Sequence, residues 1–394
     1  MHEVWGIAAL WLGLALIATL LSIWLRIATA LSEIVVGTVA QLVIGAFIGT
    51  TLGSDIQWIK FLSGTGAIVL TFLAGAELDP VVFRVKWKEA GVIGFISFLA
   101  PFLGCTAVAY YVLGWTMLSS WLAGVALSTT SVAVVYAVML ELGLNKTEFG
   151  KTVLAACFIT DLGTVISLGL IFAPFTMRTV IFVVASIVVF IILPYLTPRF
   201  FKKYGGRPSE LEAKYLLLVL FGLGSLAVWS ESEAVLPAYI VGMVLAGTVG
   251  KDHVLIRRLR TLTFGLLTPF YFIRAGSYVS PASIIAAPAA LFALFTAKMI
   301  TKIMGVYPAT KAYNYAQKEG IYTTLLMSTG LTFGSISALF GLTHGIINQQ
   351  QYSLLIVTVI GSAVVPTLIA NAFFIPKYLL PKKEKSEMLK PVED

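Results

Sequence analysis

Residues 127–163 read LSTTSVAVVYAVMLELGLNKTEFGKTVLAACFITDLG. Two apolar stretches flank a short connection with Lys146 and Lys151, and each carries a polar feature where a spanning helix has least use for one. The first holds Ser128, Thr129, Thr130 and Ser131 in a row. The second holds Asp161 near the centre of its apolar run. A charge at bilayer depth costs about 2.5–3.5 kcal/mol on insertion scales, so an aspartate kept there is a functional candidate by default.

The rest of the chain supports the membrane reading. Of 394 residues, 58% are apolar and only 12% charged, against about 25% charged in soluble domains. Such a chain cannot coat itself with polar groups, so an ordinary cytosolic enzyme is excluded. Disorder is excluded by the abundance of large apolar residues. Thirteen stretches are apolar enough to be candidate spans: 4–25, 31–53, 61–77, 90–113, 118–140, 149–172, 179–197, 214–230, 234–250, 261–279, 283–305, 320–341 and 352–376. None alternates as a barrel strand does, so an all-α polytopic membrane protein is expected. With the N-terminus placed outside, most of the 27 basic residues fall on inner connections, and only Lys60 and Arg178 on outer ones. That is the positive-inside pattern, and it puts the C-terminus inside. The +8 charge therefore reports topology and contact with a lipid surface, with no nucleic acid expected.

Residues 1–380 read as one transmembrane unit, followed by a short charged tail at 381–394. No phosphate-binding or dinucleotide loop is visible, so no cytosolic nucleotide-binding domain and no ATP-driven step are expected. Cys105 and Cys157 lie in apolar runs, and His2, His253 and His344 lack ligand spacing. Neither a disulfide framework nor a His-built metal centre is expected, nor any cofactor.

A second hydroxyl cluster answers the first. Residues 326–334 read LMSTGLTFG, with Ser328, Thr329, Gly330 and Thr332. The stretch 118–140 runs inward and 320–341 outward, so the two form an inverted pair of candidate discontinuous helices. A broken helix frees carbonyls that can coordinate a cation, and hydroxyls add ligands. Its ends carry opposed partial charges of about half a unit. The bland alternative is that such hydroxyls only bond their own backbone.

A buried carboxylate binds either a proton or a hard cation. If the two exclude each other at Asp161, one residue couples two fluxes, the minimum an antiporter needs. Thr160 beside it can ligate but not titrate. Arg274, Lys298 and Lys302 also fall within expected spans. Lys298 and Lys302 share a helix face. Lys302, nearer the inner end of 283–305, is expected to snorkel to the interface. Lys298, one turn deeper, is expected to lie near the crossed helix ends. Arg274, in TPFYFIRAG, has three open uses: bonding carbonyls, pairing with an acid or snorkelling outward.

These residues resemble the monovalent cation:proton antiporter superfamily in its Kef/NapA/GerN branch. The stretch 127–163 is similar to the family's unwound helix, inner loop and aspartate-bearing helix. TGAIVLTFLAGAELDP (65–80), LPAYIVGMVLAG (236–247) and LLTPFYFIRAG (266–276) also fit. The resemblance implies the NhaA/NapA-like inverted-repeat fold with two crossed discontinuous helices, a dimerisation domain and a mobile core. It implies a secondary active Na⁺ or K⁺/H⁺ antiporter working by alternating access, without ATP, as a homodimer in the cell membrane, by analogy a bacterial inner membrane. Asp161 becomes the proton and cation site, with Thr129, Thr130, Ser131 and Thr160 around it. Lys298, Ser328, Thr329, Thr332 and Arg274 become supporting groups.

The chain departs from its electrogenic relatives where Thr160 takes the place of a first aspartate, which points to electroneutral exchange. Gly330 and Thr332 stand where some relatives carry Arg and Glu, and TGLTFG looks like GerN-type members, whose transport involves sodium or potassium. Lys298 is preferred to Lys302 as the family lysine because it is deeper. Competing readings are a proton-independent cation channel, a Na⁺-coupled symporter of similar fold, and a membrane enzyme, for which no nucleophile–base set is visible.

Overall fold

The computed structural model describes residues 2–25, 27–47, 51–76, 86–144, 147–172, 176–206, 209–232 and 234–379. Glu77, Arg26, Arg84, Lys146, Arg207 and the expected tail lie outside the described residues.

The described chain is helical throughout. Helices α1 (His2–Leu25), α2 (Thr29–Phe47), α3 (Gln57–Ala76) and α4 (Trp87–Ala107) come first. The expected span 118–140 is split into α5 (Met117–Ser128) and α6 (Val132–Glu141). Then follow α7 (Glu148–Ile171), α8 (Met177–Tyr204), α9 (Leu211–Trp229) and α10 (Val235–Leu245). The expected span 261–279 is built from α11 (His253–Leu262), a π-helical turn over Thr263–Leu267, and α12 (Thr268–Ser277). After a short α13 (Pro281–Ala286) and a long α14 (Pro288–Ala312), the second split pair is α15 (Gln317–Met327) and α16 (Thr332–Thr343). The last is α17 (Gln349–Ile369).

Among the described residues, ten helices are long and apolar enough to cross a membrane, fewer than the thirteen spans expected. The difference has local causes. Stretch 118–140 is cut by its hydroxyl cluster. Stretch 234–250 keeps a helix only as far as Leu245. Stretch 261–279 is broken by the π turn and by Pro269 at the start of α12. The expected start and end of 283–305 are also displaced: Pro288 opens α14, which runs on through Pro308 to Ala312.

Two kinds of packing hold the bundle. On the outside of the bundle, α1 and α8 present large exposed apolar side chains such as Trp5, Trp24, Ile187 and Ile191, as a chain surrounded by a bilayer does. Inside, small residues let backbones touch. Gly75 on α3 and Gly242 on α10 face each other, and a Cβ on either would overlap the partner helix's carbonyls at Tyr239 and Phe72. A second group of contacts joins α4 to α5, α7 and α14, and α16 to α5. These last helices enclose the hydroxyl clusters.

Candidate cation site

The two interruptions touch. Helix α5 ends as Thr129 turns extended (φ −61°, ψ 153°), and α15 ends at Met327 before the turn through Leu331 (φ −144°, ψ −68°). The Ser131 N–H donates to the Thr329 carbonyl at 3.1 Å, and the Thr130 hydroxyl donates to the Met327 carbonyl at 2.8 Å. Broken backbone at membrane depth is tolerated only where its polar groups find partners, and here each break serves the other.

Most of the clustered hydroxyls donate to the helix ends they interrupt. Ser128 donates to the Val125 carbonyl at 2.8 Å and Thr129 to Ala126 at 3.2 Å. Ser328 donates to Thr324 and Thr329 to Leu326, both at 2.7 Å. Ser131 accepts the Val134 N–H at 3.4 Å, at the start of α6. Thr332 opens α16 and is half-buried. A hydroxyl that donates to a carbonyl still has lone pairs for a cation. Gly330 occupies the tightest point: a Cβ there would overlap the Lys298 ammonium and sit 2.7 Å from the Thr129 hydroxyl.

Two lysines from α14 enter this junction, and both are fully buried. The Lys302 ammonium donates to the Ser97 hydroxyl of α4 at 2.8 Å and to the Thr130 hydroxyl at 3.1 Å. The expectation that Lys302 snorkels outward is therefore corrected. Because α14 continues to Ala312, Lys302 lies mid-helix rather than near an end. Lys298 lies against Gly330, and its ammonium has no hydrogen-bond partner among the described residues. The C-terminal ends of α5 and α15 carry negative partial charge, which favours cations at this place.

Asp161 is buried on α7, and its Oδ1 has no hydrogen-bond partner among the described residues. The Lys302 ammonium acts on it electrostatically. One turn earlier, the Cys157 thiol donates to the Met327 thioether at 3.5 Å, so α7 meets the end of α15 beside Asp161. Thr160 faces another way: its hydroxyl lies 3.1 Å from both the Gly94 and Ala156 carbonyls, tying α7 to α4. The carboxylate and ammonium groups described at the junction are thus Asp161, Lys302 and Lys298.

Arg274 stands apart from this junction. Its Nε donates to the Ser54 carbonyl at 3.0 Å and an Nη to the Tyr278 hydroxyl at 3.2 Å. Tyr278 in turn donates to Asp55 at 3.0 Å, and Lys60 pairs with the same carboxylate at 3.1 Å. Of the three uses left open, Arg274 bonds a carbonyl directly and reaches an acid through Tyr278. Partial burial pushes the Asp55 carboxyl up, but hydrogen bonds from Lys60 and Tyr278 and the charges of Lys60 and Arg274 outweigh it and hold Asp55 below the usual carboxylate range.

Sequence reasoning passed over two residues. Ser97 holds Lys302, yet one serine in an apolar run carries no signal. Tyr239, inside the quoted stretch 236–247, donates to the Phe158 carbonyl at 3.0 Å, one turn before Asp161, and meets the Phe333 ring edge-on at 5.7 Å. A buried tyrosine hydroxyl needs a partner, which is a weak cue that it reaches a helix carbonyl.

Comparison with known proteins follows the same direction. The chain is 24% identical over 356 residues to the probable Na(+)/H(+) antiporter 3 of Methanocaldococcus jannaschii, covering 86% of this chain and 89% of that protein. It is 22% identical over 357 residues to the Na(+)/H(+) antiporter of Enterococcus hirae, covering 85% and 91%. The fold is similar to the structure of the sodium proton antiporter MjNhaP1 from Methanocaldococcus jannaschii at pH 8, with a TM-score of 0.71 at 16% identity over 94% of this chain and 96% of that one. The family model described as sodium/hydrogen exchanger, transmembrane, matches residues 12–375, and the chain belongs to that family.

Proposed function

We propose that the protein is a secondary Na⁺/H⁺ antiporter in which a proton and a monovalent cation compete for Asp161 as the bundle alternates its access between the two sides. The observation that carries this is the buried, unpartnered Asp161 Oδ1 beside the contact of two broken helices. A bare carboxylate in a dry interior is costly. Loading it with a proton or a cation removes most of that cost, so the loaded forms can move and the empty form is held back. Cation and proton then cross in opposite directions without ATP.

The junction offers a cation the Asp161 carboxylate, with hydroxyl lone pairs of Thr130 and Thr129 and the neighbouring carbonyls as further oxygen ligands. Hard monovalent cations such as Na⁺, K⁺ and Li⁺ suit that donor set. Lys302 braces the junction through Ser97 and Thr130. With a single carboxylate at the junction, one cation per proton is the stoichiometry proposed, and exchange is electroneutral. The reading calls for no cofactor; the ions are cargo. A homodimer in the cell membrane, N-terminus outside and C-terminus in the cytoplasm, completes it.

The test is isotopic Na⁺ uptake into proteoliposomes with an imposed pH gradient. Uptake that follows the gradient and stops when a protonophore collapses it is expected. Uptake indifferent to the gradient would replace the antiporter with a channel. Uptake that carries a second solute in the same direction would replace it with a symporter.

A further inference from the structure

A cavity of about 650 Å³ opens at the far end of the helices that form the junction. Leu118 of α5, Ile171 of α7 and Phe340 of α16 line one wall. At 1.5 Å per residue they lie about 16, 15 and 12 Å along their helices from Thr129, Asp161 and Thr332. The opposite wall comes from Gly64 and Ala67 of α3, Val228 of α9, and Glu231, Ser232 and Ala234, all outside the junction. The cavity is therefore a space between the junction helices and their neighbours, on the side assigned as outer by the basic-residue pattern.

Its wall is largely apolar, with two ionisable side chains among the described residues, Glu231 and His344. Glu231 is held in the left-handed region (φ 57°), where a non-glycine residue is uncommon. No hydrogen bond or ion pair reaches its carboxylate among the described residues. The nearby positive charges are engaged elsewhere. Lys60, one turn before Gly64, pairs with Asp55, and Arg178 lies 5.5 Å over the Trp229 ring. His344 places Nδ1 3.0 Å from the Phe340 carbonyl, so that nitrogen carries the proton it donates, and its ring packs 4.1 Å from that of Phe340. The outer stretches of α5, α7 and α16 that reach the cavity carry no charged residue.

Glu231 is exposed, so its unpaired carboxylate acts at the mouth of an apolar cleft, where its field raises the local concentration of the opposite ion. We propose that this cavity is the outer vestibule for the transported cation and that Glu231 is its recruiting carboxylate, a positioning residue that sets apparent cation affinity from the outer side without ligating the ion at Asp161. The proposal rests on the antiporter reading given above.

The test compares wild type, Glu231→Gln and Glu231→Asp in right-side-out and everted membrane vesicles, with Na⁺-driven proton movement as readout. For Glu231→Gln the apparent KM for Na⁺ at the outer face should rise roughly threefold to tenfold at low ionic strength, with kcat unchanged. The rise should shrink as choline chloride shortens the screening length toward about 10 Å. Glu231→Asp should restore most of the affinity, and the inner-face KM should not move. An unchanged outer-face KM, an equal shift at both faces, or a shift insensitive to choline chloride would overturn the vestibule role. Wild-type vesicles showing no Na⁺-driven proton movement at all would instead overturn the antiporter reading on which it rests.

Discussion

Lys298 and Lys302 are four residues apart, equally buried, and differ in one respect that can be measured. Lys302 donates to Ser97 and Thr130, whereas Lys298 has no hydrogen-bond partner among the described residues. Hydrogen bonds to charged groups contribute about 1.5–3 kcal/mol each. Lys302→Met keeps volume but deletes two of them, so thermal unfolding in detergent should shift down by several degrees and exchange should slow. Lys298→Met deletes none and replaces an unpartnered buried ammonium with an apolar chain, so stability should hold or rise. Equal losses in the two variants would show that the hydrogen bonds to Lys302 contribute nothing. Asp161 was legible in the sequence because a carboxylate in the middle of an apolar run is costly whatever surrounds it. The orientation of Thr160 was not legible: adjacent helical residues point about 100° apart, and only the position of α4 decides that its hydroxyl meets the Gly94 carbonyl. Lys302 departs from the expected snorkelling because α14 runs past the expected end at residue 305 to Ala312.

At the scale of elements, the paired breaks are the feature the sequence showed most clearly. Two hydroxyl clusters in antiparallel spans imply two interruptions, and the structure joins them through Thr130–Met327 and Ser131–Thr329. The interruption at 263–269 was not visible, because a π turn needs no polar residue and leaves the apolar run intact. Gly330→Ala tests the tightness of the junction. Its Cβ would overlap the Lys298 ammonium and press on Thr129, and overpacking of this kind costs about 1–3 kcal/mol. Since the clash is partly with the flexible lysine head, Gly330→Ala and a shortened Lys298→Ala should be less than additive in thermal unfolding. Strict additivity would mean that the two positions do not touch.

Across the whole molecule, the two polar centres have separate duties. The junction of α5, α6, α15 and α16 holds Asp161, while Arg274, Tyr278, Asp55 and Lys60 tie α12 to the 51–56 connection. Asp55 is held below its ordinary range in the folded chain, so this tie is fully present above the unfolded carboxylate value of about 4 and is lost as pH falls through the folded value. The Asp55–Lys60 pair is exposed and contributes under about 1 kcal/mol. Asp55→Asn should therefore cost little at neutral pH, and the gap from wild type should close in thermal unfolding as pH falls below the ordinary carboxylate value of about 4. A gap that stays constant would show that the carboxylate charge is not what fastens the connection. The most direct test of the central claim is proton movement in proteoliposomes carrying an internal pH dye. Na⁺, K⁺, Li⁺ and choline are added in turn, with membrane potential clamped and then free, for wild type and Asp161→Asn. A cation-triggered pH change in wild type, insensitive to potential and absent from a correctly folded Asp161→Asn, is the result expected. Proton-coupled exchange persisting in Asp161→Asn would contradict the assignment of both ions to that carboxylate.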